Sequence, residues 1–325
     1  MRKLGLGFGI SVLSLFLMCA ALVVAAAGRP QAADQSASQS GSTPPAAPAA
    51  PAAQSPVPVD AETCKLCHED NYNSWANSPH WKTTLDTRGG PARQGCETCH
   101  APAAEHVANP GEASKFPFTF DKSAPKDINA RCLTCHASGT HQMHLTESVH
   151  RLSDVSCVSC HSIHHSETKE YLLVKAQPEL CYTCHLQQRA QFNMPFHHRV
   201  NEHLVQCTDC HNPHGTAGPH QLQASATQSA VCYKCHEDKQ GPFVFEHEPV
   251  KTEGCVMCHT PHGGPNPHML KTSNVNLLCL SCHTVSSANA PGPAGPAHNQ
   301  AAQYQACILC HTQIHGSNFS SVFFK

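Results

Sequence analysis

The sequence predicts short α-helices and loops with little β-structure, wrapped around covalently bound cofactors in an elongated repeat of two-cofactor units. Three observations predict it. The pentapeptide Cys-x-x-Cys-His occurs ten times in 325 residues. Its copies recur in pairs, roughly one pair per 50 residues. Only 6% of residues are aromatic, so side chains offer little bulk for a core, and the cofactors must supply it.

The cysteine pairs are Cys64/Cys67, Cys96/Cys99, Cys132/Cys135, Cys157/Cys160, Cys181/Cys184, Cys207/Cys210, Cys232/Cys235, Cys255/Cys258, Cys279/Cys282 and Cys307/Cys310. The histidines that follow are His68, His100, His136, His161, His185, His211, His236, His259, His283 and His311. Two thiols that add to porphyrin vinyl groups need a spacing matched to the ring edge. The adjacent His then lies beneath the ring and binds the iron. The motif is the attachment site of a c-type haem, and ten copies predict ten haems in a multihaem cytochrome c fold.

Cys-x-x-Cys pairs also build zinc ribbons, disulfide frameworks and thioredoxin-like redox centres. None of these needs a His directly after the second Cys. With 27 His in the chain, ten matches from ten by chance have odds on the order of 10⁻¹¹. The pairs use 20 of the 21 cysteines, leaving Cys19.

Cys19 lies in a leader. Arg2 and Lys3 precede an uncharged apolar run over 4–27, with small residues at Ala25 and Ala27. Residues 1–27 read as a secretory signal peptide, with an uncleaved N-terminal anchor as the alternative. Residues 28–59, rich in Ala, Pro, Gln and Ser, read as a disordered linker. The decahaem domain of five two-haem units is placed at 60–318, with a C-terminal tail at 319–325. Export to the periplasm fits c-type maturation. The formal charge of -2 gives no sign of a nucleic-acid partner.

From the second unit on, odd motifs lie 49, 51 and 47 residues apart, and the last three even intervals are 50, 48 and 52. The first unit is stretched by the insert Phe116-Pro-Phe-Thr-Phe120, whose purpose the sequence does not reveal. Each unit carries two more histidines. One precedes the even motif: His80, His150, His198, His247 and His298. The other follows it: His106, His164, His214, His262 and His315. That makes ten further candidate ligands for ten irons, so bis-histidine ligation is expected. A His three past a proximal His shares its helical face and cannot reach the far side of its own ring. His164, His214 and His262 are therefore expected on a neighbouring haem, most simply the odd one of the same unit. His165 and His197 abut candidate ligands and could replace them. His141, His144, His203, His220 and His268 are expected at the surface or on haem propionates.

Ligands on both faces of every iron leave no open position for substrate. There is no Cys-x-x-Cys-Lys variant, hydrolytic triad or phosphate loop. The chain reads as an electron carrier and not an enzyme, with potentials set by ligands, charge and burial.

On its ten motifs, the segment from Cys181-Tyr-Thr-Cys-His through Phe196-His-His-Arg to Cys207-Thr-Asp-Cys-His-Asn-Pro-His-Gly, and the ending Ile314-His-Gly-Ser-Asn318, the chain resembles decahaem cytochromes of the DmsE/MtrA type. The resemblance covers about residues 60–318. It implies periplasmic electron carriers whose fold is similar to two fused pentahaem halves. It also implies three redox partners: an inner-membrane quinol-oxidising cytochrome, an outer-membrane β-barrel into which the MtrA branch inserts, and a cell-surface multihaem cytochrome or reductase. Membrane association is then through partners. A soluble periplasmic shuttle to a reductase is the alternative, followed by a multihaem reductase and a cytochrome filament. The Ala/Pro-rich linker and the stretched first unit depart from the plainest members. The C-terminal Phe319–Phe324 segment is expected to pack on the last haem, or else to dock to a partner.

Overall fold

The computed structural model describes residues 59–283 and 307–324, except 89, 91, 92, 113, 114, 116, 117, 224–226 and 228. The signal peptide, nearly all of the linker and His298 lie outside the described residues. All described residues fall in one compact unit, Ser55–Lys325.

Each motif closes one helical turn on itself. The amide of the proximal His donates to the carbonyl of the first Cys, at 2.9 Å in the turns ending at His68, His100, His161, His185, His211 and His283. The distance is 3.0 Å in those ending at His236, His259 and His311. Residues i, i+3 and i+4 of such a turn share a face, so both thiols and the imidazole are presented together.

Helices stay short because little apolar surface is available to extend them. The longest described helix, Pro125–His136, has 12 residues and opens with Pro at its first position. Glu69–Ala76 has 8 and Leu186–Phe192 has 7. Described β-structure amounts to a two-stranded antiparallel sheet, Phe245–Glu246 with Gly316–Ser317, and isolated bridges. The fold is thus helix-rich with little sheet.

The side-chain core is small: Trp75, Ala101, Ala103, Ile128, Leu180, Tyr182, Phe192, Val200 and Val231. Tyr182, Phe192 and Val200 form its one buried apolar cluster among the described residues. Buried and half-buried polar groups tie the two motifs of a unit together. Asn129, 2% exposed, accepts from the Cys157 amide at 2.8 Å. Ser229 and Asn276 do the same for Cys255 at 3.2 Å and Cys307 at 2.9 Å. Each stands three residues before an odd motif and caps the turn of the even one.

Candidate haem-binding sites

The structure sets proximal and distal histidines face to face. Ring centres lie 5.9–6.3 Å apart in nine pairs: His68–His106, His80–His136, His100–His164, His150–His185, His161–His214, His198–His236, His211–His262, His247–His283 and His259–His315. A metal bonded to one nitrogen of each ring at about 2 Å places the ring centres about 6 Å apart. The separations therefore fit an iron between the rings. His311 is the proximal His outside these pairs, and His298 is the candidate left over.

The pairing corrects one expectation. His164, His214 and His262 do face neighbouring motifs, but not the odd motif of their own unit. They face His100, His161 and His211, the even histidines of the preceding unit, and His315 faces His259 likewise. Conversely, His80, His150, His198 and His247 face the odd histidines of the following unit. Consecutive units thus exchange ligand candidates in both directions. The reason is in the Asn/Thr-Pro-His-Gly turns. Gly215 (φ 102°) and Gly263 (φ 142°) bring the backbone so close to the preceding unit that a Cβ would lie 2.5 Å from the His144 carbonyl and 2.3 Å from that of Gln191. That approach delivers His214 and His262 backwards along the chain. Among the described residues only His106 turns onto the odd histidine of its own unit.

Hydrogen bonds fix which nitrogen faces the gap. Nδ1 of His161, His211, His259 and His311 donates to the carbonyls of Tyr171, His220, His268 and Val322, at 2.6, 2.8, 2.8 and 2.6 Å. His150 and His198 donate to the Pro213 and Pro261 carbonyls at 2.9 and 2.6 Å. His164 donates to Asn71 O and His262 to Gln191 Oε1, both at 3.0 Å. With Nδ1 protonated, Nε2 keeps its lone pair for a metal. Burial pushes His100 down to about 4 and holds His80, His164, His185, His214, His247, His262 and His315 below the ordinary range. Neutral imidazole is the ligating form.

The acceptor loops escaped the sequence reading. After three even motifs the chain makes two successive left-handed residues, Tyr171–Leu172, His220–Gln221 and His268–Met269. It then bridges back to the proximal His through Leu173, Leu222 and Leu270. The recurring Pro-His-x-Leu at 219–222 and 267–270 was the signal available. His220 and His268, expected at the surface or on propionates, serve through their carbonyls. His197 does not replace His198: its Nδ1 donates to Met194 O at 2.5 Å, and its Nε2 meets Glu202 at 3.2 Å. The His165 ring stands 6.2 Å from His164 and is in no proximal–distal pair.

The cysteines order the sites. Within each unit the thiols of the two first cysteines are neighbours that perturb one another: Cys64 with Cys96, Cys132 with Cys157, Cys181 with Cys207, Cys232 with Cys255 and Cys279 with Cys307. That proximity holds Cys64 and Cys157 down at about 7 and their partners up. Across units the second cysteines are neighbours in charge: Cys99 with Cys135, Cys160 with Cys184, Cys210 with Cys235 and Cys258 with Cys282. Attachment points therefore follow one another in motif order.

Cys67 and Cys310, both expected as attachment residues, are exposed. Cys67 is exposed like the second cysteines of the other odd motifs, Cys135, Cys184, Cys235 and Cys282, whereas Cys310 differs from Cys99, Cys160, Cys210 and Cys258, the half-buried second cysteines of the other even motifs. Their backbone is nonetheless that of every motif, each amide donating to the carbonyl of its first cysteine at 3.3 Å. An exposed thiol there marks the rim of a site and not its buried interior.

The twenty described cysteines form no disulfide, and no three-residue metal cluster occurs among the described residues. Neither a disulfide framework nor a zinc ribbon is formed there.

These sites define a multihaem c-type cytochrome, with haem held covalently at paired Cys-x-x-Cys-His motifs. The doubled CXXCH motif model matches residues 150–190, 197–241 and 247–288, and the cytochrome c554 and c-prime model matches 95–162. The chain is 35% identical to multiheme cytochrome MtrA of Shewanella baltica strain OS185, over 81% of this chain and 80% of that protein. It is 25% identical to the cytochrome c-type protein NrfB of Escherichia coli O6:H1 strain CFT073, over 37% of this chain and 72% of that one. The chain belongs to the MtrA family of multihaem cytochromes, whose chemistry is electron transfer.

Proposed function

We propose that this protein is a periplasmic decahaem conduit that carries electrons across the outer membrane within a porin–cytochrome complex. The observation that carries the reading is the run of nine facing histidine pairs, joined end to end by cysteines in motif order. Each pair would hold one iron, and His298 with His311 would hold the tenth. When bound, the haems supply reversible one-electron chemistry. The protein's residues fix the spacing of the irons, close both faces of each with imidazole, and shut out substrate.

The unit-to-unit exchange of ligands makes each interface a pair of coordination bonds, so adjacent units cannot separate without opening irons. The likeness to MtrA supports the conduit over a free shuttle, and the DmsE/MtrA resemblance implies the barrel, the quinol-oxidising donor and the cell-surface acceptor. No described helix is long and apolar enough to cross a membrane. Purification in detergent tests the proposal. A conduit co-purifies stoichiometrically with an outer-membrane β-barrel protein. Recovery of all the cytochrome in the soluble periplasmic fraction, without a barrel, would favour the shuttle.

A further inference from the structure

The insert that lengthens the first unit converges on one iron site. Phe118 and Phe120 meet edge to face with ring centres 5.1 Å apart. Phe120 in turn meets the ring of His100 at 5.1 Å. Over the Phe118 ring lies the Arg131 guanidinium, its carbon 4.1 Å from the ring centre. Arg131 Nη1 donates to the carbonyls of Cys99 at 3.2 Å and Ala101 at 3.0 Å, the residues on either side of His100.

The cation is held without a carboxylate. Among the described residues none lies within ion-pair distance of Arg131. Glu97, 3% exposed in the same motif, accepts instead from the amides of Val59 and Ala103 at 2.9 Å each. The position is also peculiar to this place in the repeat. Arg131 directly precedes an odd motif, and the other four odd motifs are preceded by Thr63, Leu180, Val231 and Leu278.

We propose that Arg131, seated on Phe118, raises the reduction potential of the haem attached at Cys96 and Cys99 above those of its neighbours. That haem is then a resting place for electrons within the series. The proposal rests on reading this motif as a haem site. A fixed cation favours ferrous over ferric iron, because reduction removes one positive charge beside it. The Phe118 ring covers one face of the guanidinium and lessens screening by water there. The step biased is a single electron passing from a ferrous neighbour, which becomes ferric, to this iron, which becomes ferrous. No proton moves and no bond is made.

The test is a spectroelectrochemical titration of the purified holoprotein, with peptide mass spectrometry confirming haem on Cys96 and Cys99. In Arg131→Gln the most positive one-electron component moves negative while the rest of the curve stays. Arg131→Lys retains that component. In Phe118→Ala it moves the same way by a smaller amount, because water reaches the guanidinium. A superimposable Arg131→Gln curve, or an Arg131→Lys curve displaced as far, overturns the proposal. Should Arg131→Gln fail to load haem, an unmoved Phe118→Ala titration overturns it instead. Absence of haem from Cys96 and Cys99 in the wild-type chain refutes the underlying site.

Discussion

At the scale of the residue, the deciding atom is Nδ1 of those histidines that donate it to an acceptor, His150, His161, His164, His198, His211, His259, His262 and His311. A carbonyl acceptor there leaves Nε2 pointing into the gap and strengthens the imidazole as a donor. Removing one acceptor without touching the ligand isolates that effect. In Gln191→Leu, His262 loses the partner at 3.0 Å. The component of the redox titration belonging to its haem is expected to move positive, since a weaker imidazole stabilises ferric iron less. No movement would mean that the bond only orients the ring. The pairing gives a sharper expectation. His214→Ala opens the iron beneath His161, not the one beneath His211 or His185. One high-spin haem per protein should appear in the electron paramagnetic resonance spectrum and bind carbon monoxide when reduced. Covalent labelling or mass spectrometry should place it on the peptide with Cys157 and Cys160. The ligand candidates were legible because Cys and His are chemically marked. Their acceptors were not, because a carbonyl from Tyr171 or Val322 has no signature in sequence.

At the scale of the element, single turns and tight loops do what long helices do elsewhere. The one-turn closure of Cys-x-x-Cys-His follows from the spacing alone, and so it was legible. The loops that deliver the distal histidines depend on glycine for conformation and for room. Gly263→Ala would force a left-handed residue and bring a Cβ within 2.3 Å of Gln191 O and 2.9 Å of the His197 Cβ. It is expected to destabilise the protein by about 1–3 kcal/mol in denaturant titration. It should also free the iron between His211 and His262. The loops with paired left-handed residues give the opposite expectation. At His220, φ is 53°, a conformation that costs a non-glycine residue about 1 kcal/mol. His220→Gly keeps the carbonyl that His211 uses and relieves that cost, so stability should hold or rise slightly. Loss of a haem in that variant would show that the His220 side chain matters after all. In the first of these loops nothing in the sequence marked the left-handed conformation, because Tyr171 and Leu172 are not residues that favour it.

At the scale of the whole molecule, the two-haem repeat was read directly from motif spacing, but its joints were not. Spacing says which histidines belong to a unit. It does not say that His164 reaches into the preceding unit or His198 into the next, since that depends on how units stack, as in the contact of His198 with a residue some 60 positions away in sequence. The ends of the series also behave differently from its middle. His106 closes the first unit on itself. Cys310 is exposed where the second cysteines of the other even motifs are half-buried. At the C-terminus, Phe324 lies against His311 with ring centres 5.0 Å apart, and Phe323 against His247 at 5.4 Å. Phe319, 91% exposed, remains available to a partner.

The central claim is that every iron is closed on both faces by imidazole, which makes the chain a carrier and leaves it no catalytic site. Low-temperature electron paramagnetic resonance and near-infrared magnetic circular dichroism of the oxidised, purified protein, calibrated by a haem-to-protein ratio, test it most directly. The account predicts ten haems per chain, all low-spin with the bis-imidazole signature, and no change on adding cyanide or, after reduction, carbon monoxide. A colourless protein, or even one high-spin haem that takes up an added ligand, would contradict it.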